Sequence, residues 1–459
     1  MNLRQCFGLL ALMLFSSSPI QGEEAFWIST FSADVTIPLG HRCMGVLPTK
    51  SVSVSDPLEI HGFVLGGSNQ PVVVAAVDWC EIRNGAYDDF REALANAVGT
   101  TRERVLLSSL HQHDAPVVDS DAARILREVG LANELHDEQF FSSVIERTIK
   151  ALKAGLKEKT RVTHVGTGKA KVREIASNRR VVYPDGRISF DRGSRSGGDS
   201  FHAEQPEGQI DPFVRTISFW NGETPVLALS VYATHPMSYY GRGEISADFV
   251  GLARRQRQQA LPNVKQIYAS GCSGDVTAGK FNNGSQESRV ALTNRLAAGM
   301  ADAWKDTKRV PLTQLRFRNT SLQLEYYGHA SLTEERLTAE VNDESLRTED
   351  RILAAMGLAS RQRVSSGQAI DVPCLDFGSA KIVLLPGEAF VGYQLMAQVM
   401  DPESFVVVMG YGECWPGYIP TDAAFADHFH DKWLWVAPGS EKRMEATLQK
   451  VLRSVDGNP

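Results

Sequence analysis

Short apolar runs recur along this chain, and each is cut off by polar residues at its C-terminal end. Val72–Val77 reads VVVAAV and stops at Asp78; Val105-Leu106-Leu107 stops at a serine pair. Runs of four to eight apolar residues are the mark of strands buried on both faces. The sequence predicts further strands at 30–37, 57–65, 104–110, 264–269, 381–385 and 404–409, and a hairpin over 216–233 turned at Asn221-Gly222. Between them lie segments of helical period: 84–98, with Phe90, Leu94 and Val98 on one face, then 138–156, 249–260 and 289–304. Strand alternating with helix predicts an α/β fold, with mixed β-sheets flanked by helices and some parallel pairing. Residues 313–326 read as one long strand or a strand pair, 332–358 as a charged helical surface hairpin, and Pro386-Gly387-Glu388 as the opening of a helix to Met400.

The polar residues that end these runs carry the chemistry. One run delivers SSLHQHDAP, with His111 and His113 two residues apart. In an extended chain such a pair points to one face. A second run ends in Ala233-Thr234-His235-Pro236, a third in the turn holding Glu388, and a fourth opens the loop with Tyr411 and Tyr418. Strand ends of an α/β sheet converge on one rim, where sites form. Two imidazoles and a carboxylate are a ligand set that zinc prefers for hydrolysis. Plainer readings stand beside this one. The histidine pair also suits a polar loop start, His235 a hydrogen-bonded strand end, and Glu388 a first helical turn facing the helix dipole.

Composition excludes some classes. With 48 Lys and Arg against 54 Asp and Glu, the net charge is −6 and the pI about 6.0, which does not suit a nucleic-acid binder. Residues 1–22 read as a signal peptide: Arg4 supplies the positive region, Phe7–Phe15 the apolar stretch and Ser16–Gly22 the small-residue end. A secreted or periplasmic protein is expected, with residues 23–459 forming one domain. No later segment has the length of apolar residues that a membrane span needs. Five cysteines follow residue 22, at 43, 80, 272, 374 and 414, with no CxxC pair. One or two bridges are compatible with that count, and at least one thiol is left over.

Residues 175–212 are rich in Gly, Ser, Arg and Asp and read as a substrate loop. Gly271–Gly279 is glycine-rich but matches no phosphate-loop pattern, and Gly-Cys-Ser273-Gly-Asp is not a nucleophile elbow.

Taken in order, these motifs resemble the catalytic domain of the neutral, non-lysosomal ceramidases, zinc amidases that cleave the amide of ceramide. The similarity runs from about Ser32 to about Pro438. It rests on Ala33-Asp34-Val35-Thr36, Leu110–Pro116 at the family's THTHSGPGG region, Ala233–Pro236, Ile245–Gly251, Gly274–Gly279 at its GDVSPN stretch, Pro386-Gly387-Glu388, and Gly417–Thr421. The resemblance implies a metal site at strand ends in which His111, His235, Glu388 and Tyr418 bind Zn2+. It further implies that His113 contacts the scissile carbonyl or shuttles a proton, and that Arg179, in Asn178-Arg179, stabilises an oxyanion. Thr277 stands at the family's serine and keeps a hydroxyl; His430 stands at a family tyrosine and is, beside His113, a second candidate to stabilise the oxyanion or protonate the leaving amine. The glycine run after the histidine pair is replaced by Asp114–Val118; on this resemblance the expected organisation is a catalytic domain without the C-terminal sandwich domain of full-length ceramidases.

The resulting expectation is a zinc-dependent hydrolase acting on a small-molecule or lipid-like N-acyl substrate, with ceramide itself left open. Two rivals stay open: a zinc-dependent esterase or an enzyme of sugar-derived substrates, and a binding protein on the same scaffold. Retention of all four ligand-type residues weighs against the last, because unpaired buried histidines and carboxylates are costly to keep.

Overall fold

A computed structural model describes residues 26–67 and 69–453. The signal-peptide reading of residues 1–22 lies outside them. Three sheets carry the fold. The first is five-stranded, in the order Val105–Ser109, Val72–Val77, Glu59–Gly66, Trp27–Asp34, Thr160–Arg161. The second is also five-stranded: Lys265–Ser270, Thr224–Tyr232, Phe213–Asn221, His164–Lys171, Lys308–Pro311. The third has four strands: Arg316–Leu322, Ile370–Asp376, Ala380–Leu384, Phe405–Met409. Helices flank all three, as the α/β expectation requires.

Alternation explains why the inner strands read as unbroken apolar runs. Val72, Val74 and Ala76 enter the core shared by the three sheets, while Val73, Ala75 and Val77 enter a second core under helices Asn84–Val98 and Glu138–Gly155. Likewise Val407 and Met409 face the shared core, and Val406 and Val408 face a third core under Thr348–Ser365 and Ser440–Leu452. Fully burying one such side chain stabilises the fold by about 1.5–3 kcal/mol. A one-residue slip would exchange the two faces of every strand at once, so register is firmly set.

Most predicted elements are present. Asn84–Val98 is a helix, ended by Gly99 at φ 77, where a left-handed residue is needed to close the last turn. Two predictions need correction. Glu388 does not open a helix: the helix is Val391–Met400, and Glu388–Ala389 forms a two-residue strand. The 332–358 hairpin is a surface feature only in its first helix, Glu334–Asn342. Its second helix, Thr348–Ser365, is buried from Ala354 to Ser360, because its charges cluster at the two ends and small apolar residues fill the middle. Segment 313–326 holds a single strand, Arg316–Leu322, one of the two alternatives expected there, and its partner Ile370–Asp376 was not predicted. All five cysteines among the described residues are free and buried. Among the described residues, no helix is long and apolar enough to cross a membrane.

Candidate metal centre

Each sheet contains one parallel pair of the main strands: Val72–Val77 with Val105–Ser109, Thr224–Tyr232 with Lys265–Ser270, and Ala380–Leu384 with Phe405–Met409. The C-terminal ends of the three edge strands are tied together. Ser109 N–H donates to the Tyr411 carbonyl at 3.0 Å, Gly410 N–H to the Ser270 carbonyl at 2.8 Å, and Ser270 Oγ to the Leu110 carbonyl at 2.8 Å. The chain leaving each pair therefore enters one place. His111 and His113 come from the first sheet, His235 from the second, Glu388 and Tyr411 from the third.

His111 and Tyr411 both sit at positive φ, 63° and 56°, and their rings stack at 4.5 Å and 14°. Bulky residues adopt this backbone at a cost of about 1–3 kcal/mol each, sustained by the surrounding structure. At His111 the N–H bond to the Trp79 carbonyl, 2.9 Å, helps fix it. The chain there is not extended, yet both histidines still reach the same pocket, with ring centroids 5.2 Å apart.

The two ligand-type imidazoles are oriented alike. His235 Nδ1 faces the carbonyls of Ser273, at 2.5 Å, and Val276, at 3.2 Å; His111 Nδ1 faces that of Cys80 at 3.2 Å. Carbonyls only accept, so Nδ1 carries the proton on both rings and each Nε2 presents a lone pair. Both Nε2 atoms converge on the same carboxylate oxygen, Glu388 Oε2, at 2.9 Å from His235 and 3.1 Å from His111. All three side chains are buried. Three electron-rich atoms meeting out of water need a positive charge between them, supplied by a metal ion or an extra proton. The protonation energetics agree: burial disfavours charge on His111, but Glu388 outweighs it and holds the imidazole above its ordinary value. Burial pushes His235 down to about 4. Glu388 is driven well below the ordinary carboxylate range, because the two histidines outweigh its burial.

Tyr418 lies beside this cluster, in a two-residue strand paired with Glu388–Ala389. Its hydroxyl accepts from Arg179 Nη1 at 2.9 Å. Burial pushes the phenol well up, and the guanidinium opposes that. Arg179 Nε is itself buried without an acceptor. Burial works against the guanidinium charge, but Tyr418, Glu388 and Asp431 outweigh it and hold the group protonated. Asn178 fixes the neighbouring Asp275 with a 2.8 Å bond, and Asp275 in turn accepts from Val391 N–H.

His113 is buried with no hydrogen-bond partner on either ring nitrogen, and burial holds it neutral. It packs edge-on to Tyr240 at 5.0 Å. Thr277 is buried one bridge away from His235, and its hydroxyl accepts from Gly279 N–H at 2.9 Å. The structure does not bring His430 to the cluster. That side chain is exposed and lines a neighbouring groove, while Asp431, one residue on, lines the pocket of His111 and Glu388. Asp431, Lys432, Trp433 and Met44 complete a pocket of about 350 Å³ with His111, His113, Glu388 and Tyr418. Sequence reasoning missed Asp431 and Met44; no local pattern marks either.

The adjoining groove, of about 340 Å³, shares Asp431 and Lys432 with this pocket. Its walls include Leu332, Leu346, Leu353 and Leu434.

No protein-family model and no curated protein matches the chain. Solved structures do. A crystal structure of neutral ceramidase from Pseudomonas aeruginosa matches with a TM-score of 0.68 at 14% identity, over 94% of this chain and 74% of that one. A ceramidase complexed with C2 matches with the same score and identity, over 94% of this chain and 75% of that one. The expected ceramidase fold is the observed one.

Proposed function

We propose that this chain, on its ceramidase fold, is a zinc-dependent hydrolase of amide bonds, with His111, His235, Glu388 and Tyr418 as the metal ligands. The observation that carries the reading is the meeting of two Nε2 lone pairs and one carboxylate oxygen in a buried pocket. Zinc in that position supplies Lewis acidity, which activates water and polarises a carbonyl.

The protein's own groups supply the rest. Arg179 is anchored by Tyr418 and keeps an unpartnered N–H, a donor for the oxyanion that develops during attack. His113, neutral and unpartnered, can take the proton that the attacking water loses and pass it to the leaving amine. Thr277 holds the turn beside His235 through Gly279. Asp431, on the pocket wall, offers a carboxylate to a departing amine as it gains a proton. The leucine-walled groove is assigned to an apolar arm of the substrate, because it shares Asp431 and Lys432 with the pocket. The substrate class is thus a lipid-like N-acyl amide. A secreted or periplasmic location, predicted from the N-terminal sequence, fits an enzyme acting on such molecules.

The test is amine release from a series of N-acyl compounds of rising chain length, alongside O-acyl esters and sugar derivatives. Hydrolysis of the amides, lost on chelation, restored by zinc and absent in Glu388→Gln, is expected. Turnover that survives both chelation and Glu388→Gln, or turnover of esters or sugars alone, overturns the reading.

A further inference from the structure

Glu81 stands directly behind His111. It belongs to the three-residue strand Glu81–Arg83, paired in parallel with Val117–Asp119, and it is fully buried. One carboxylate oxygen, Oε2, accepts from Arg83 Nη1 at 2.8 Å. The other, Oε1, has no hydrogen-bond partner and lies 3.7 Å from His111 Nδ1. The His111 ring therefore has a carboxylate at each end, Glu81 beyond Nδ1 and Glu388 at Nε2. A neutral imidazole carries one proton for two such neighbours. A ring protonated at Nδ1 with a cation at Nε2 suits both.

Glu81 is also held so that it cannot turn away. Arg83 is locked by Ser360 Oγ at 3.0 Å, by the Trp415 carbonyl at 3.3 Å and by stacking on Trp435 at 4.4 Å. Asp119 Oδ2 faces Arg83 Nε at 3.4 Å from the far side.

We propose that Glu81 is a positioning residue for the metal centre: the Cys80 carbonyl accepts the His111 Nδ1 proton, and the free Glu81 oxygen behind it at 3.7 Å reinforces that tautomer, so that the Nε2 lone pair is committed to the metal. Outer carboxylates of this kind fix the tautomer and raise the basicity of a ligating imidazole. The inference rests on the metal-site reading above.

Glu81→Gln tests it. Arg83 still demands an acceptor, so the amide oxygen stays there and the amide NH2 turns to His111 Nδ1. That favours the wrong tautomer. Zinc affinity, read by competition with a chromophoric chelator, is expected to fall about 10–100-fold, and the visible spectrum of the cobalt-substituted protein to change. Asp119→Asn perturbs the same buried network from the far side while keeping the cap on Ala122 N–H. It is expected to lower the unfolding midpoint and leave zinc affinity unchanged. Wild-type affinity and spectrum in Glu81→Gln overturn the inference, as does an equal loss in Asp119→Asn. If Glu81→Gln does not fold, Glu81→Asp keeps the charge for Arg83 but draws back from His111; it too is expected to weaken zinc, and undiminished affinity overturns the proposal. A wild-type protein that takes up no zinc removes the metal-site reading itself, a distinct result.

Discussion

Glu388 and Tyr418 lie opposite each other in a two-residue parallel ladder. Each is preceded by a glycine at positive φ, Gly387 at 53° and Gly417 at 60°. Those two left-handed residues turn the chain out of the third sheet and set a carboxylate and a phenol side by side. At Gly417 a Cβ would also collide with the Trp433 carbonyl, to which the Tyr418 N–H donates at 3.0 Å.

Gly417→Ala is therefore expected to displace Tyr418. The left-handed backbone alone costs about 1 kcal/mol, and the collision adds to it. Zinc affinity and the unfolding midpoint should both fall, as measured by chelator competition and chemical denaturation. An unchanged affinity would show that the ladder does not position the ligand.

Tyr418→Phe removes the proposed fourth metal ligand and the acceptor of Arg179 and leaves the ring in place; assayed at saturating zinc, it reports the loss of the Arg179 anchor. If Arg179 stabilises an oxyanion from that anchor, kcat/KM falls about 10²–10³-fold, the scale of a lost oxyanion donor. Stability should change by only about 1–3 kcal/mol. Steady-state kinetics and urea unfolding check the two parts separately.

Much of this centre was legible in the sequence. His111, His235 and Glu388 each follow an apolar run, and strand ends converge. The surroundings were not, because they are made by tertiary contacts. Nothing local marks Asp431 as facing the pocket while His430 faces solvent; a one-residue offset in a winding segment, with His428 at φ 60, decides it. Glu388 looked like a helix opener because an acidic residue in a first helical turn complements the helix dipole; pairing with Tyr418 overrode that local preference. The helix Thr348–Ser365 looked exposed because the count of charges, rather than their placement at its ends, set the expectation.

Stability should depend on pH through His136. This side chain is buried with both ring nitrogens unpartnered, and burial lowers it to about 3. Its unfolded value is about 6.5. Because the folded value is depressed, the neutral ring's contribution is complete above about pH 6.5 and is lost as pH falls towards 3. Between pH 7 and pH 5 the loss is about 2 kcal/mol. His136→Leu should flatten that part of the stability profile in urea titrations, and an unaltered slope would place the acid sensitivity elsewhere.

The groove makes a prediction about chain length. Leu353 is half-buried in its wall. A charge there, in Leu353→Glu, should raise KM for long-chain N-acyl substrates about tenfold or more, the scale of one or two buried methylenes, and leave an N-acetyl substrate unaffected. Equal effects on both would mean that the apolar arm lies elsewhere.

The most direct test of the metal centre is anomalous diffraction at the zinc edge from crystals of zinc-loaded protein. One strong peak is expected, at coordination distance from His111 Nε2, His235 Nε2 and Glu388, about 2.0–2.2 Å, and absent in the His111→Ala/His235→Ala protein. Crystals of folded wild-type protein with no peak among those three side chains, or with a peak that persists in the double variant, would contradict the account.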